Sequence, residues 1–404
     1  MSKLSPAGER NFAYLFERFP SFTQTFCARE IQQWQKLGFH FPIYSIHSVD
    51  AEEVRHFPSD LYERTVTVPD IGNASRRWWT PFYFEARKVR RRLSERWGTA
   101  GGRLRASEAA WLGPRLRATG IRHVHVHFAG LAARTAFWLK QCYGITYSFT
   151  AHANDFFVTT KGQFLEDLFQ EALFVVTVSD FSASQLKARF SAAANRIHRI
   201  YNGIDCEAFA PQPGLSKTAP QKILSVGRYI EKKGYPDLIH ACAQLEDLDF
   251  TCEIIGSGPM EEELKKLVAQ LRLGNKVTIT GPKSEQEIRS LLASSQIFAL
   301  ACCTEKDGGM DNLPTVIMEA MSAGLPVVST RIAGVPEMIR DAETGFLVGE
   351  HDVTALANAL RCLLVDPVSA HAMGLASRQM ALNLFDSTAT SAALREVFSR
   401  YHVV

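Results

Sequence analysis

Four charged residues in the second half of the chain, Arg228, Lys233, Asp311 and Glu319, are of the types that hold a molecule carrying both phosphates and hydroxyls. A guanidinium offers a diphosphate its planar fork and an ammonium offers a point charge. Carboxylates accept hydrogen bonds from hydroxyls. Asp311 and Glu319 lie eight residues apart in DNLPTVIMEAMSAG, where Pro314 suits the first turn of a helix and Gly324 its stop. The start of that helix presents unpaired backbone N–H groups to an anion. A structural alternative stands beside this reading, with Asp311 capping the helix and Glu319 as a solvated helix charge. In the first half, His152 and Asp155 share the turn AHAND after a strand pattern. Ser21, Thr23 and Thr25 line another strand-to-helix turn, where hydroxyls either cap the helix or face a ligand.

The elements that position these groups repeat one pattern. FAYLF near residue 12, FPIYSI near 41, TVTV at 65–68, HVHVHF at 123–128, TYSFT at 146–150 and FVVTVS at 174–179 read as short strands, most of them separated by helical patterns. A second series begins at KILSVGR (222–228) and continues through FTCEIIG, VTITG, IFALA and LPVVST. Buried strands alternating with helices indicate parallel α/β sheets, and such sheets place ligands at the carboxyl ends of their strands. That location favours His152, Asp155 and Arg228. Gly256-Ser257-Gly258-Pro259 is a glycine turn at a strand end, but it matches no complete dinucleotide fingerprint. His123, His125 and His127 fall on one strand face and invite a zinc reading. No second shell accompanies them, and structural roles are expected for His123 and His125.

With 404 residues, the chain exceeds one ordinary core of about 100–200 residues, so two domains are expected. The Pro- and Ala-rich stretch 208–222 reads as a linker. The expected division is 1–213 and 214–385, with the last helix, about 386–404, packing back on the first domain. Eight cysteines lack C-x-x-C spacing and sit mostly among apolar neighbours, as expected of reduced core thiols. No secretory leader pattern opens the chain, so a cytoplasmic location is expected. Residues 76–117 depart from the average, with twelve Lys and Arg against three acids, interleaved with Trp78, Trp79, Phe82, Tyr83, Phe84, Trp97 and Trp111. Basic and aromatic character together suits an anionic membrane surface, against the alternative of a solvated helical hairpin. Nucleic acid is not expected, since no binding motif accompanies the charge.

The ordered set Gly227-Arg228…Lys233-Gly234, Gly256-Ser257-Gly258-Pro259, Asp311…Glu319-Ala320-Met321 and Gly334-Val335-Pro336-Glu337 resembles the retaining glycosyltransferases of family 4. FPSFTQTF, SFTAHANDFF and DAETGFLV resemble their colanic-acid and exopolysaccharide branch. The resemblance implies a GT-B fold, with two doubly wound Rossmann-like domains facing across a cleft. It implies a nucleotide-diphosphate sugar held mainly by the second domain, UDP favoured and GDP as alternative, and an acceptor held by the first; the basic aromatic segment of that domain makes a lipid-linked glycan the expected acceptor. Arg228 and Lys233 would hold the diphosphate, and Glu319 the ribose. Gly256, Gly258 and the backbone at Leu313, Pro314, Thr315 and Val316 would add donor contacts. His152 would lie against the donor sugar. Asp311 would stand where the family's E-x7-E motif has its first Glu, one methylene shorter. No metal or other cofactor is implied, and the enzyme would work at the inner membrane face. Two rival readings remain, a sugar-nucleotide epimerase of the same fold and a non-catalytic sugar-nucleotide-binding or membrane-assembly protein.

Overall fold

The computed structural model describes residues 11–21, 24–50, 57–71, 84, 87–88, 100–152, 155, 162–211 and 220–404. These form two compact units. One comprises Met1–Val178, Ala183–Ile200 and Ser391–Val404; the other comprises Ser179–Ser182 and Tyr201–Thr390. Part of the 208–222 stretch, residues 212–219, lies outside the described residues.

The first unit is built on strands β1 (Phe12–Arg18), β2 (Ile43–His47), β3 (Thr65–Thr67), β4 (His123–His127), β5 (Thr146–Ala151), β6 (Val175–Thr177) and β7 (Ile197–Arg199). Their order across the sheet is 3-2-1-4-5-6-7, and every pairing is parallel. Such a sheet is covered on both faces, and β1 illustrates the consequence. Ala13 and Leu15 join one apolar cluster with Val124, Val126, Phe149 and Trp138. Phe12, Tyr14 and Phe16 join another with Trp34, Phe174 and Phe398. Phe398 comes from the last helix, Ser387–Arg400, and its ring meets Phe12 edge-on at 5.3 Å.

The three histidines of β4 sit on this second face, each paired in register with a hydroxyl residue of β5: Thr146, Ser148 and Thr150. His123 reaches Thr146 Oγ1 at 2.9 Å and Ser148 Oγ at 2.8 Å; His125 reaches Ser148 Oγ at 2.7 Å and Thr150 Oγ1 at 3.0 Å. These rings are neutral hydrogen-bonding core residues, which is the structural role expected for them. They stack on Phe174 at 5.9 and 6.2 Å.

Half of the basic aromatic segment, residues 76–83, 85–86 and 89–99, lies outside the described residues. Its described end, the helix Ala100–Ala118, buries one of its four arginines, while Arg103, Arg115 and Arg117 are exposed. Arg105 is buried and pairs with Glu108 at 2.6 Å, and Glu108 also accepts from Thr135 Oγ1 at 2.6 Å. Arg115 lies over the Trp111 ring at 4.0 Å, Trp111 packs on the core, and Arg117 donates to the Tyr143 carbonyl at 2.8 Å. Of these, only the Arg105 cation is spent inside the unit and so unavailable to a phospholipid.

The second unit carries β8 (Gln221–Val226), β9 (Phe250–Ile255), β10 (Val277–Thr280), β11 (Ile297–Leu300), β12 (Val327–Thr330) and β13 (Gly345–Val348). Their order is 10-9-8-11-12-13, again all parallel. This is the doubly wound 3-2-1-4-5-6 arrangement, and the order reverses between β8 and β11. No described cysteine forms a disulfide; six are buried, Cys142 is half-buried and Cys362 is exposed.

Burial holds the His123 imidazole down at about 3, whereas the unfolded chain takes its proton near 6.5. The stability it contributes is therefore present above about pH 6.5 and lost as the pH falls toward 3. In urea denaturation, the wild-type chain should lose stability relative to His123→Phe by up to about 1.4 kcal/mol for each pH unit between 6 and 4. Parallel curves for the two proteins would contradict this.

Candidate active site

In the second unit the charged groups gather at the reversal of strand order, as the carboxyl-edge rule requires. After β8 the chain turns through Gly227 and Arg228 into a short 3-10 turn, Glu231–Lys233. Gly234 then takes φ 60°, and a Cβ there would stand 1.7 Å from the Ala301 carbonyl oxygen. Only glycine lets the turn approach the end of β11 so closely. The Cys303 N–H donates to the Lys232 carbonyl at 3.0 Å and completes the docking. The result brings Lys233 Nζ within 2.5 Å of Asp311 Oδ2, and Lys232 Nζ within 3.8 Å of Asp311 Oδ1.

The pair is mutually adjusted. Burial alone would raise the Asp311 carboxyl, but the charges of Lys233, Lys232 and Arg228 outweigh it and hold the group below its ordinary range. Burial would likewise lower Lys233, and Asp311 reverses the sign. Both remain charged at neutral pH. Lys232 is only 5% exposed and also lies 3.9 Å from Glu305. Arg228 is exposed, and no ion pair or hydrogen bond to its side chain is found among the described residues.

Gly256 and Gly258 have packing reasons of their own. A Cβ on Gly256 would meet the Gly227 carbonyl oxygen at 1.9 Å, and one on Gly258 would meet that of Tyr229 at 2.6 Å. The turns after β8 and β9 thus touch backbone to backbone. The helix expected through Glu319 spans Thr315–Ser322, with Pro314 just outside it and no side chain capping its start. Asp311 therefore does not serve as its cap. Leu313 and Glu319 are buried, while Thr315 and Val316 are half-buried. Gly324 adopts φ 72° just past the helix end, its N–H donating to the Met321 carbonyl.

Asn312 and Glu337, neither singled out from sequence, fasten the Asp311 loop and its neighbours. Ser179 Oγ donates to Asn312 Oδ1 at 2.8 Å, and the Gly334 N–H donates to the Asn312 carbonyl at 2.9 Å. Glu337 accepts from the N–H groups of Asp180 and Phe181 at 2.7 and 2.8 Å and from Tyr201 at 3.1 Å.

In the first unit His152 and Asp155 do come together at the end of β5. The His152 N–H donates to Asp155 Oδ2 at 2.8 Å, and the Asp155 N–H returns a bond to the His152 carbonyl at 2.8 Å. Burial pushes the Asp155 carboxyl up to about 7 and the His152 imidazole well down. Ser21 is buried after β1; Thr25 begins the helix Thr25–Lys36 but does not cap it, and Thr23 lies outside the described residues. Glu30, His125 and His127 offer three atoms within 4.8 Å of one another, a spacing that a metal ion accepts. Both nitrogens of His125 are already engaged by Ser148 and Thr150, and His127 by Glu30 and His152. A cavity of about 560 Å³ opens at the opposite strand ends, lined by Asn11, Arg122, His123, Thr146 and His402, away from these carboxyl-edge groups.

Residues 208–380 match the model of the glycosyl transferases group 1, and residues 31–208 that of glycosyltransferase family 4. The chain belongs to the family 4 glycosyltransferases. It is similar to a protein of Escherichia coli (strain K12) named, provisionally, as the colanic acid biosynthesis glycosyltransferase WcaL, with 36% identity over 197 residues, 48% of each chain. It is 31% identical over 236 residues to a GDP-mannose-dependent alpha-(1-6)-phosphatidylinositol monomannoside mannosyltransferase of Mycolicibacterium smegmatis, covering 56% of this chain and 62% of that one. The chain spans about half the length of the curated relatives it matches. Among solved structures, Anabaena HepE in complex with UDP superposes with a TM-score of 0.74 at 16% identity, over 96% of this chain and 100% of that one. The fold is GT-B, two Rossmann-like domains, as the motif order implied.

Removing one partner of a buried ion pair strands the other. Lys233→Ala should therefore lower the unfolding free energy in urea by about 2–3 kcal/mol, and adding Asp311→Asn should restore part of the loss. No recovery in the double variant would show that the pair is not what holds the two side chains.

Proposed function

We propose that the chain is a retaining, metal-independent glycosyltransferase that moves a sugar from a nucleotide diphosphate to a lipid-linked glycan acceptor in the assembly of a cell-surface polysaccharide. The reading is carried by the Lys233–Asp311 pair at the strand-order reversal, with exposed Arg228 beside it. An ammonium has three donors. Lys233 bound to Asp311 keeps two for a phosphate, and Arg228 adds its fork. The start of the Thr315–Ser322 helix, from Leu313 through Val316, contributes backbone N–H groups and its dipole, and Glu319 receives the ribose hydroxyls.

In the reaction, the bond between the anomeric carbon and the diphosphate oxygen breaks as the acceptor oxygen bonds to the same face. The acceptor proton passes to the departing phosphate, so no enzyme carboxylate need act as nucleophile. The growing charge on the diphosphate is stabilised by the cations and the helix start. Asp311, anchored by Lys233, faces the sugar side, and His152 supplies a contact to the sugar. UDP remains the favoured nucleotide of the donor, with GDP, for which the mycobacterial relative is named, as the alternative. We place the enzyme in the cytoplasm at the inner membrane face, with the basic segment, residues 76–117, meeting anionic lipid.

A thermal-shift panel of UDP- and GDP-sugars should select one donor, because a ligand that binds only the folded state raises its melting temperature. Arg228→Ala should slow transfer by about 10²-fold or more without changing the melting temperature of the free protein. Near-normal turnover would remove Arg228 from the mechanism. Free sugar or epimer formed from donor alone would favour the epimerase reading, and donor binding without turnover on any acceptor the non-catalytic one.

Liposome sedimentation should give stronger binding to anionic than to neutral vesicles, with the difference shrinking as salt rises. Indifference to lipid charge would sink the membrane assignment.

A further inference from the structure

His152 is one end of a line of polar groups, buried except for half-buried Glu30, that the proposed transfer does not by itself require. Its Nε2 lies 3.2 Å from His127 Nδ1, and His127 Nε2 lies 3.2 Å from Glu30 Oε1. The Tyr14 hydroxyl donates to the same carboxylate oxygen at 2.5 Å. The four residues come from β1, the Thr25–Lys36 helix, the end of β4 and the end of β5. Aromatic packing fixes the rings. His127 stacks between Phe16 at 5.6 Å and His152 at 5.5 Å, and His152 is flanked by Phe26 at 4.8 Å and Phe128 at 4.5 Å. Phe128 takes φ 69°, a left-handed conformation that costs a bulky residue energy, and this turns its ring onto His152.

The direction of the hydrogen bonds follows from the chemistry of the carboxylate end. A carboxylate has no proton to give, so Glu30 Oε1 must receive both the Tyr14 O–H and the His127 Nε2–H. A neutral His127 then presents a lone pair at Nδ1. Among the described residues, the group facing that lone pair at hydrogen-bond distance is His152 Nε2, which must be the donor. We propose that Glu30, acting through His127, fixes His152 as its Nε2–H tautomer and leaves Nδ1 as an acceptor for a hydroxyl of the bound sugar. Glu30 and His127 are thus positioning residues for the sugar contact. The inference rests on the sugar-side role given to His152 above. The neutrality it needs agrees with the direction of the His152 imidazole, which burial and then His127 lower well below its ordinary range.

The test reads the tautomer first. Nitrogen-15 spectra of the full chain with labelled histidine, assigned with His152→Gln, should show His152 protonated on Nε2 at pH 7.5 in the wild type. In Glu30→Ala that preference should disappear. His127→Leu should do the same, whereas His127→Gln should retain the preference, since its amide can donate to Glu30 and accept from His152. In transfer assays Glu30→Ala and His127→Leu should lower kcat by about 10–100-fold, with His127→Gln recovering much of it. A wild-type His152 protonated on Nδ1, or an Nε2–H preference unchanged in Glu30→Ala, overturns the proposal. The spectra need no substrate. The expected tautomers in a protein that transfers no sugar would therefore overturn the functional reading and leave the relay standing.

Discussion

An all-parallel sheet with helices on both faces keeps water from every part of its strands except their ends, and both units of this chain are organised by that restriction. A buried charge in the middle of such a sheet would have to be paired or neutralised. At the carboxyl edge it can be half-dehydrated, held by backbone, and still reachable. In the second unit the edge between β8 and β11 collects Arg228, Lys232, Lys233 and Asp311. In the first, the edges of β4 and β5 collect His127, His152 and Asp155. The side chains with chemical options sit where the strand order reverses or immediately beside it. The same topology dictates the glycines: turns leaving adjacent strands crowd one another, and Gly234 and Gly256 are the places where a Cβ would meet a carbonyl oxygen.

The second-unit site is a set of charges balanced before any ligand arrives. One carboxylate is shared by two ammonium groups, and burial, which acts against all three ions, is overcome for Asp311 and Lys233 by their mutual attraction. Asp in place of the family's Glu suits this arrangement in a specific way. The shorter side chain keeps its carboxylate close to the β8 turn and on Lys233, whose position is already set by the Gly234 contact with Ala301. Anchoring the carboxylate costs reach toward a sugar but spares the ordering of a longer side chain.

Much of this was legible in the chain because the relevant signals are local. Short β-branched runs ending in Gly or polar residues marked the strands, and their ends marked Arg228, Lys233 and His152. The register between strands was not legible, and with it went every long-range pairing. Lys232 and Lys233 look equivalent in EKKG, yet the turn buries Lys232 as well. Asn312 is an ordinary polar residue beside Asp311 until Ser179 and Ser182 arrive from more than a hundred residues away. Arg105 and Glu108 read as part of a basic surface helix, and become an internal pair only when Thr135 packs beside them. Glu30 carried no signal at all, one polar residue on an amphipathic helix.

That last case shows why the partners of a buried imidazole matter more than their number. His123 and His125 share the Ser148 hydroxyl, which has one proton and can either give it to one ring or take part as acceptor from both. A ladder ending in hydroxyls can therefore run in either direction, and nothing in it assigns a tautomer. The line through His127 ends instead on a carboxylate that only accepts, with one of its acceptor sites already held by Tyr14. Its polarity is set from the carboxylate end. His123, His125 and His127 stand on the same face of the same strand at a spacing of two residues, so periodicity treats them alike. The difference lies in one residue of a neighbouring helix, and it separates a core that is merely satisfied from one that presents a defined lone pair at the strand edge.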